Sequence, residues 1–145
     1  MDKQYIYAGV ILEDNDMVLM LKRTRAEVPD AYTAPHGVVK TGERLRDVAK
    51  REVFQQCGLV VEARQLLYVE EIIAPVEGFR FWFRGEWIAG DPITETLPHN
   101  EGGKVEARWL TQEQVLSRKV DPMMLLTDYW SLRETNFESP RYIII

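Results

Sequence analysis

Residues 37–59 read GVVKTGERLRDVAKREVFQQCGL, and this stretch decides the fold of the chain. It begins with a loop closed by Gly42, and thirteen residues without Gly or Pro then run from Leu45 to Cys57. Gly58 follows at the position where the end of a helix favours a left-handed residue. The stretch therefore predicts a loop that leads into a helix over residues 45–57.

Three polar side chains lie on one face of this predicted helix. Glu52, Gln55 and Gln56 are spaced i, i+3 and i+4, so they share an arc about 100° wide. Three carboxylates at this spacing would form a hard-oxygen site for Mg²⁺ or Mn²⁺, which can bridge phosphates and activate a water molecule. Two glutamines keep oxygen donors but remove two negative charges. Because a pair of unit charges about 4 Å apart is worth about 4 kcal/mol at an effective dielectric near 20, we expect a large loss of metal affinity.

The same residues resemble the motif of the Nudix hydrolase family. That motif has a glycine, five residues, a glutamate, seven residues, and then REUxEExGU, in which U is a bulky aliphatic residue. The present chain follows this frame without an insertion, and only the last two glutamates are replaced, by Gln55 and Gln56. The matching residues are Gly37, Glu43, Arg51, Glu52, Val53, Gly58 and Leu59.

Weaker similarities to the family extend over most of the chain. They include VLMLKRTR at residues 18–25, Pro35 two positions before the motif glycine, and EARWL at residues 106–110. One departure is His36, since family members commonly have Gly-Gly after that proline. The resemblance implies an α/β fold of the Nudix type, an α/β/α sandwich with a mixed sheet, formed by residues 1–145 as a single domain.

The resemblance also implies a chemistry and a set of site residues. Nudix enzymes use Mg²⁺ or Mn²⁺ to cleave a pyrophosphate bond, usually in substrates in which a nucleoside diphosphate is linked to another group. Glu52 would be the catalytic base or a metal ligand, and Arg51 would orient it. The predicted metal-site residues are Glu52, Gln55, Gln56, Glu43, Glu101 and the carbonyl group of His36, with Glu106 as an alternative to Glu101.

Three further residues are candidates for substrate binding. Residues 79–84 alternate Phe with arginine or tryptophan, which predicts a strand with one apolar face and one cationic face. Trp82 could stack on a base and Arg84 could contact phosphate; alternatively, both belong to an amphipathic sheet face with a snorkelling arginine. Arg23 follows a strand and could meet phosphate, or it could simply be solvated.

The remaining segments predict strands and short helices around the motif. The apolar tail Tyr142–Ile145 predicts either an edge strand or an association surface. The other predicted elements are a hairpin of residues 4–12 and 17–22, long strands at Leu59–Ile73 and Phe79–Ile88, a short strand at Val105–Leu110, a helix capped by Thr111 and Gln114, and a helix that starts at Asp121-Pro122.

Composition and charge restrict the classes of function. The chain has 145 residues, 46% of them apolar and 28% charged, which is typical of a globular domain with one core. Its formal net charge of -5, without a local Lys/Arg cluster, disfavours nucleic acid and anionic membranes as partners. A single cysteine and the lack of an apolar run long enough to span a membrane predict a cytoplasmic location.

Three functions remain open from the sequence. The chain could be a Nudix-type hydrolase of a nucleoside-diphosphate-linked substrate, with weakened or altered metal dependence. It could instead be an inactive Nudix fold that binds a nucleotide as a sensor or regulator. A scaffold that forms a homodimer through its apolar tail is the third alternative. A small nucleotide-type molecule is the expected partner in the first two cases, and metal binding together with turnover would separate them.

Overall fold

A computed structural model of the protein describes residues 4–25, 28–75, 77–92, 97–98 and 104–145. No helix in these ranges is long and apolar enough to cross a membrane. The helices are α1 (Leu45–Cys57), α2 (Gln112–Leu116) and α3 (Tyr129–Glu134), with a 3-10 helix at Met123–Leu126. The strands are β1 (Tyr5–Ile11), β2 (Glu13–Asp14), β3 (Met17–Arg25), β4 (Val28–Thr33), β5 (His36–Val38), β6 (Val60–Ile72), β7 (Gly78–Ala89), β8 (Leu97–Pro98), β9 (Lys104–Thr111), β10 (Val120–Asp121) and β11 (Arg141–Ile144).

These strands form two mixed sheets. One has the order β11-β6-β7-β1-β5, and the other has the order β10-β4-β3-β9-β8, with β2 beside β3. In the first sheet β1 runs parallel to β7 and antiparallel to β5. In the second sheet β4 runs parallel to β10 and antiparallel to β3.

Helices cover the sheets from two sides. In β3, Leu19 and Leu21 pack with the buried face of α1, whereas Val18 and Met20 pack with the 3-10 helix and α3. Because consecutive side chains of a strand point to opposite faces, the two clusters lie on opposite sides of the sheet. This arrangement confirms the predicted α/β fold, a sandwich of helices around mixed sheets.

Helix α1 has the predicted limits and the predicted end. Gly58 adopts a left-handed backbone with φ of 77°, and its N–H donates to the carbonyl of Phe54 at 2.9 Å. Full burial of one aliphatic side chain contributes about 1.5–3 kcal/mol, so the apolar stripe decides which way the helix faces. The stripe consists of Val48, Ala49, Val53 and Cys57.

Several other predicted elements are confirmed. Strands β6 and β7 form the long antiparallel pair. The hydroxyl of Thr111 accepts from the N–H of Gln114 at 3.2 Å, and the Gln114 side chain accepts from the N–H of Thr111 at 2.9 Å, which is the capping box expected for α2. The apolar tail forms β11, an edge strand that runs parallel to β6.

The hairpin predicted for residues 4–12 and 17–22 is wrong. Strand β1 pairs with β5 and β7, and β3 pairs with β4 and β9 in the other sheet. Only Leu12 and the short β2 that follows it fold back on β3. Val10 and Ile11 are consecutive residues of β1 and both are buried, which shows that both faces of the strand are covered at this end. A strand covered on both faces has no alternating pattern that identifies its partner.

The helix predicted to start at Asp121-Pro122 is also wrong. Asp121 lies in β10, and Pro122 is an extended residue, with ψ of 153°, that precedes the 3-10 helix. The true α-helix, α3, begins only at Tyr129. The carbonyl of Asp121 accepts from the N–H of Ala34 at 2.9 Å, so pairing with the sheet competes with helix formation here.

Candidate functional site

Glu52 lies on α1 where the helix meets the first residues of β5. Its side chain is 16% exposed. Gly37 in β5 lies directly against it, since a Cβ atom at Gly37 would be 2.2 Å from the Cδ atom of Glu52. The glycine of the motif is therefore needed to leave space for the carboxylate.

Gln56 lies one helical turn after Glu52 and is hydrogen bonded to it. Its Nε2 group donates to Oε2 of Glu52 at 2.6 Å and to the backbone carbonyl of His36 at 2.9 Å. Its Oε1 atom is buried and has no hydrogen-bond partner among the described residues. The amide of Gln56 thus joins the helix to β5 through nitrogen, and its oxygen is unused.

Arg51 connects two carboxylates on the other side of Glu52. Its Nη1 group donates to Oε2 of Glu43, and its Nη2 group lies 3.6 Å from Oε1 of Glu52. The second oxygen of Glu43 accepts from the backbone N–H of Lys40 at 2.8 Å. These bonds, first of all the one from Arg51, hold the pKa of Glu43 below its ordinary value.

The predicted metal-site residues divide into two groups in this geometry. Glu52, Gln56 and the His36 carbonyl meet at one point. Gln55 is exposed and makes no side-chain hydrogen bond to the described residues, although it is only three positions from Glu52. Glu43 does not join the first group, because both of its oxygens are bonded elsewhere, and Glu101 lies outside the described residues.

The residues present fit a divalent cation in one of two orientations of the Gln56 amide. Within the described ranges, no group of three His, Cys, Asp or Glu side chains converges in a way that could hold a metal. If the amide turned over, however, its buried oxygen would face Oε2 of Glu52 and the carbonyl of His36. These three are hard oxygen donors of the kind that Mg²⁺ and Mn²⁺ prefer.

The His36 ring is packed among aromatic groups behind this point. Its Nδ1 atom lies 2.9 Å from the carbonyl of Ala34, and its ring centroid lies 5.2 Å from that of Trp82 in an edge arrangement. Burial is the largest effect on this ring and lowers the pKa of His36 below its ordinary value. Nδ1–H donation to Ala34 by a neutral imidazole accounts for the contact, and the backbone carbonyl of His36 remains the group that faces Glu52.

The three residues predicted to bind substrate lie in different places. Trp82 is 0% exposed, and its indole N–H donates to Glu70, so the prediction that it stacks on a base is wrong for this arrangement. Arg84 donates to the side chain of Asn136 at 2.9 Å and lines a separate cavity of about 400 Å³. Arg23 is half-buried, and its Nε atom has no partner among the described residues.

A network of charged groups near His36 was not predicted from the sequence. Arg80 of β7 bonds to Glu70 of β6 at 2.9 and 3.1 Å and to Asp121 of β10 at 2.5 and 2.7 Å. Glu70 is 0% exposed, whereas the side chain of Asp121 is 47% exposed. Arg80 therefore links the two sheets and presents a carboxylate at the surface. No local signal in the sequence marked Glu70, because Glu71 follows it and the same strand also contains Glu62 and Arg64.

Comparison with known proteins identifies the class to which this fold and site belong. The family model of the NUDIX domain matches residues 3–127, and the chain therefore belongs to the Nudix family. Within that family it is similar to 8-oxo-dGDP phosphatase NUDT18, with 34% identity to the protein of Mus musculus and 33% to that of Homo sapiens, each over 105 residues. These alignments cover 72% of this chain but only 31% of each relative.

The fold is also found in solved structures. The crystal structure of a NUDIX hydrolase from Nitrosomonas europaea has a TM-score of 0.79 with this chain and 22% sequence identity. The superposition covers 100% of this chain and 80% of the other. At this level of identity the similarity establishes the fold, and the chemistry has to be argued from the residues of the site.

Proposed function

We propose that this chain is a Nudix-type hydrolase that cleaves a pyrophosphate bond in a nucleoside diphosphate or in a molecule linked to one. The observation that supports this most is the position of Glu52. Its carboxylate is partly open to solvent, with Arg51 beside one oxygen and the His36 carbonyl near the other. A carboxylate held in this way can take a proton from an attacking water molecule or hold a cation.

The neighbours of Glu52 define its role in this proposal. Arg51 restricts the rotation of the carboxylate through Oε1 and is itself held by Glu43. Oε2 then points toward the carbonyl of His36, and it is the atom that would accept a proton from water. A divalent cation, when bound, would neutralise phosphate charge and lower the pKa of the water. Gln56 offers an amide oxygen where the family motif has a carboxylate, so metal dependence should be weakened or altered.

Asp121 is the group that would contact a base in this proposal. Both of its oxygens bond to Arg80, yet its side chain is half exposed, so further lone pairs are free to accept N–H groups. Arg80, which holds Asp121, lies 5.4 Å from the ring centroid of Trp82, and the Trp82 ring in turn contacts the ring of His36. Since the similar NUDT18 proteins are named for 8-oxo-dGDP, an oxidised purine nucleoside diphosphate is the first substrate to test.

The test is release of phosphate or a nucleoside monophosphate from a panel of substrates, with Mg²⁺ or Mn²⁺ up to millimolar concentration. The panel contains 8-oxo-dGDP, dGDP, nucleotide sugars, dinucleotides and nucleoside triphosphates. We expect the native chain to turn over a diphosphate. Glu52→Gln should abolish this turnover, because an amide N–H would stand where the carboxylate oxygen acts as the base or as the metal ligand. Glu62→Gln is the control, because Glu62 pairs with Lys50 on the exposed side of β6. An equal rate in Glu52→Gln would remove Glu52 from the mechanism, and no turnover of any substrate would overturn the proposal.

The second candidate is a nucleotide-binding module without turnover. It is favoured by the bond from Nε2 of Gln56 to Glu52, because that bond occupies the oxygen that the hydrolase needs. Calorimetry of nucleotide binding in the absence of metal distinguishes the two. Tight binding without metal and without product would support the module, whereas binding that requires metal would support the hydrolase.

A further inference from the structure

The amide nitrogen of Gln56 lies between two oxygen atoms that face each other across α1 and β5. One is Oε2 of Glu52, at 2.6 Å, and the other is the carbonyl oxygen of His36, at 2.9 Å. Two such oxygens repel each other unless a positive group lies between them. An NH₂ group has two protons, so one proton can serve each oxygen.

The orientation of the amide follows from these two acceptors. With nitrogen inward, both hydrogen bonds form, and the only loss is that Oε1 is buried without a donor. With oxygen inward, three acceptors would face one another with no proton to share. One unpaired buried acceptor costs less than the loss of two hydrogen bonds, one of which is to a charged group. The protein without a cation therefore favours the nitrogen.

We propose that the Gln56 carboxamide takes the place of a cation in the metal-free protein and must turn over, or move aside, before a divalent ion can bind. With nitrogen inward, the amide donates to both oxygen acceptors, so the site is stable without a cation. In the reversed orientation its oxygen becomes the third ligand. The proposal concerns the site of the proposed hydrolase and rests on that function only for the identity of the ligand, since the role of the amide requires no turnover.

If Gln56 has this role, replacement of Gln56 by glutamate should have a different effect from replacement of Gln55. A glutamate at position 56 would place a second carboxylate next to Glu52 and leave the His36 carbonyl without its donor. The empty site would then be destabilised, and a cation would relieve the repulsion. A glutamate at position 55 would lie on the exposed side of the helix and change neither property.

The first experiment measures melting temperature with increasing Mg²⁺ or Mn²⁺ for the native chain, Gln56→Glu, Gln55→Glu and the double variant. We expect Gln56→Glu to melt at a lower temperature than the native chain in EDTA. It should regain stability with metal and bind at least about tenfold more tightly, because of the added charge. Gln55→Glu is the matched control and should follow the native chain. Equal effects of the two substitutions, or no effect of Gln56→Glu, would overturn the proposal.

The second experiment uses the native chain, so it does not depend on the folding of a variant. The side-chain NH₂ signals of Gln56 are assigned in a ¹⁵N spectrum by their absence in Gln56→Glu. In EDTA we expect two well-separated proton signals that exchange slowly with solvent, because both amide protons are hydrogen bonded. Mg²⁺ at saturating concentration should remove this protection. Signals like those of an exposed glutamine in EDTA, or protection that persists with bound Mg²⁺, would overturn the proposal.

Neither measurement uses a substrate, so the two proposals can fail separately. If the amide signals and melting curves behave as expected but no substrate is cleaved, the proposed hydrolase function is wrong and the role of Gln56 stands. If a substrate is cleaved while Gln56→Glu and Gln55→Glu behave alike, the hydrolase stands and the role of Gln56 is wrong.

Discussion

At Gly37 the backbone of β5 approaches α1 so closely that no side chain fits between them. The space that a Cβ atom would need is filled by the carboxyl group of Glu52. The same strand presents the His36 carbonyl to Gln56. Two neighbouring residues of β5 thus provide the space and the acceptor that position the polar face of the helix.

Gly37→Ala should displace Glu52. We expect the loss of kcat, expressed as a free energy of activation, to be at least as large as the loss in the free energy of unfolding. Inserting an atom into a packed contact typically costs about 1–3 kcal/mol, and here the atom that must move belongs to the proposed base. Turnover per folded molecule and urea unfolding measure the two effects. The control is Gly42→Ala, since a Cβ atom there meets nothing within 4 Å and the substitution acts only through the backbone φ of 87°. If Gly37→Ala keeps the native kcat, the backbone of β5 moves to make room and Glu52 stays in place.

At the scale of elements, α1 combines an apolar stripe with a polar face that bears the site. Cys57 ends the stripe and is buried, and burial raises the pKa of its thiol to about 12 from 9.0. Such a thiol is a packing group without nucleophilic character at neutral pH. Any movement of the stripe would move Glu52 and Gln56 together, because all of them belong to one rigid helix.

Cys57 should make the protein less stable at alkaline pH. The unfolded chain loses the thiol proton near pH 9, whereas the folded chain keeps it up to about pH 12. Stabilisation by the protonated thiol is therefore complete below pH 9 and is lost between these values, by about 1.4 kcal/mol per pH unit. Urea unfolding of the native chain and Cys57→Ala, with reductant, at pH 7.5, 9 and 10.5 measures this. The advantage of the native chain over Cys57→Ala should shrink above pH 9, and parallel curves would contradict the prediction.

At the scale of the whole molecule, the two sheets are joined by polar groups as well as by the core. Arg80 pairs with the buried Glu70 inside its own sheet and with Asp121 of the other sheet. The Trp82 indole donates to the same Glu70, so three strands meet at one carboxylate and its partner. This network holds Asp121 of one sheet against Arg80 of the other.

Glu70→Gln should destabilise the protein by about 3 kcal/mol, because removal of one charge leaves Arg80 partly buried with only one carboxylate. Chemical denaturation at neutral pH measures the change. The control is Glu71→Gln at the next position, where the carboxylate accepts from the hydroxyl of the exposed Tyr142. A surface change of this kind stays within about 0.5 kcal/mol. Equal losses in the two variants would show that Arg80 and Asp121 hold the sheets without Glu70.

Contacts between segments that are far apart in the sequence could not be predicted from local patterns. The alternation of Phe with Arg and Trp in β7 predicted correctly that the two sets of side chains lie on opposite faces. It did not show that α3 and the segment around Phe137 cover the face of Trp82. The partners of Arg80 lie ten and forty-one residues away, so no local pattern identifies them. A cytoplasmic location and a homodimer remain predictions.

The sequence by itself determined the limits of α1, its glycine end, the capping box of α2 and the membership of the family. These depend on backbone preferences and on spacings of a few residues, which any chain with this sequence must obey. Only the tertiary structure decided that Gln56 rather than Gln55 joins Glu52, that Trp82 is buried, and that β1 pairs outside the predicted hairpin. Those outcomes depend on which surfaces meet after the chain has folded, and contact between distant segments is set by packing of the whole core.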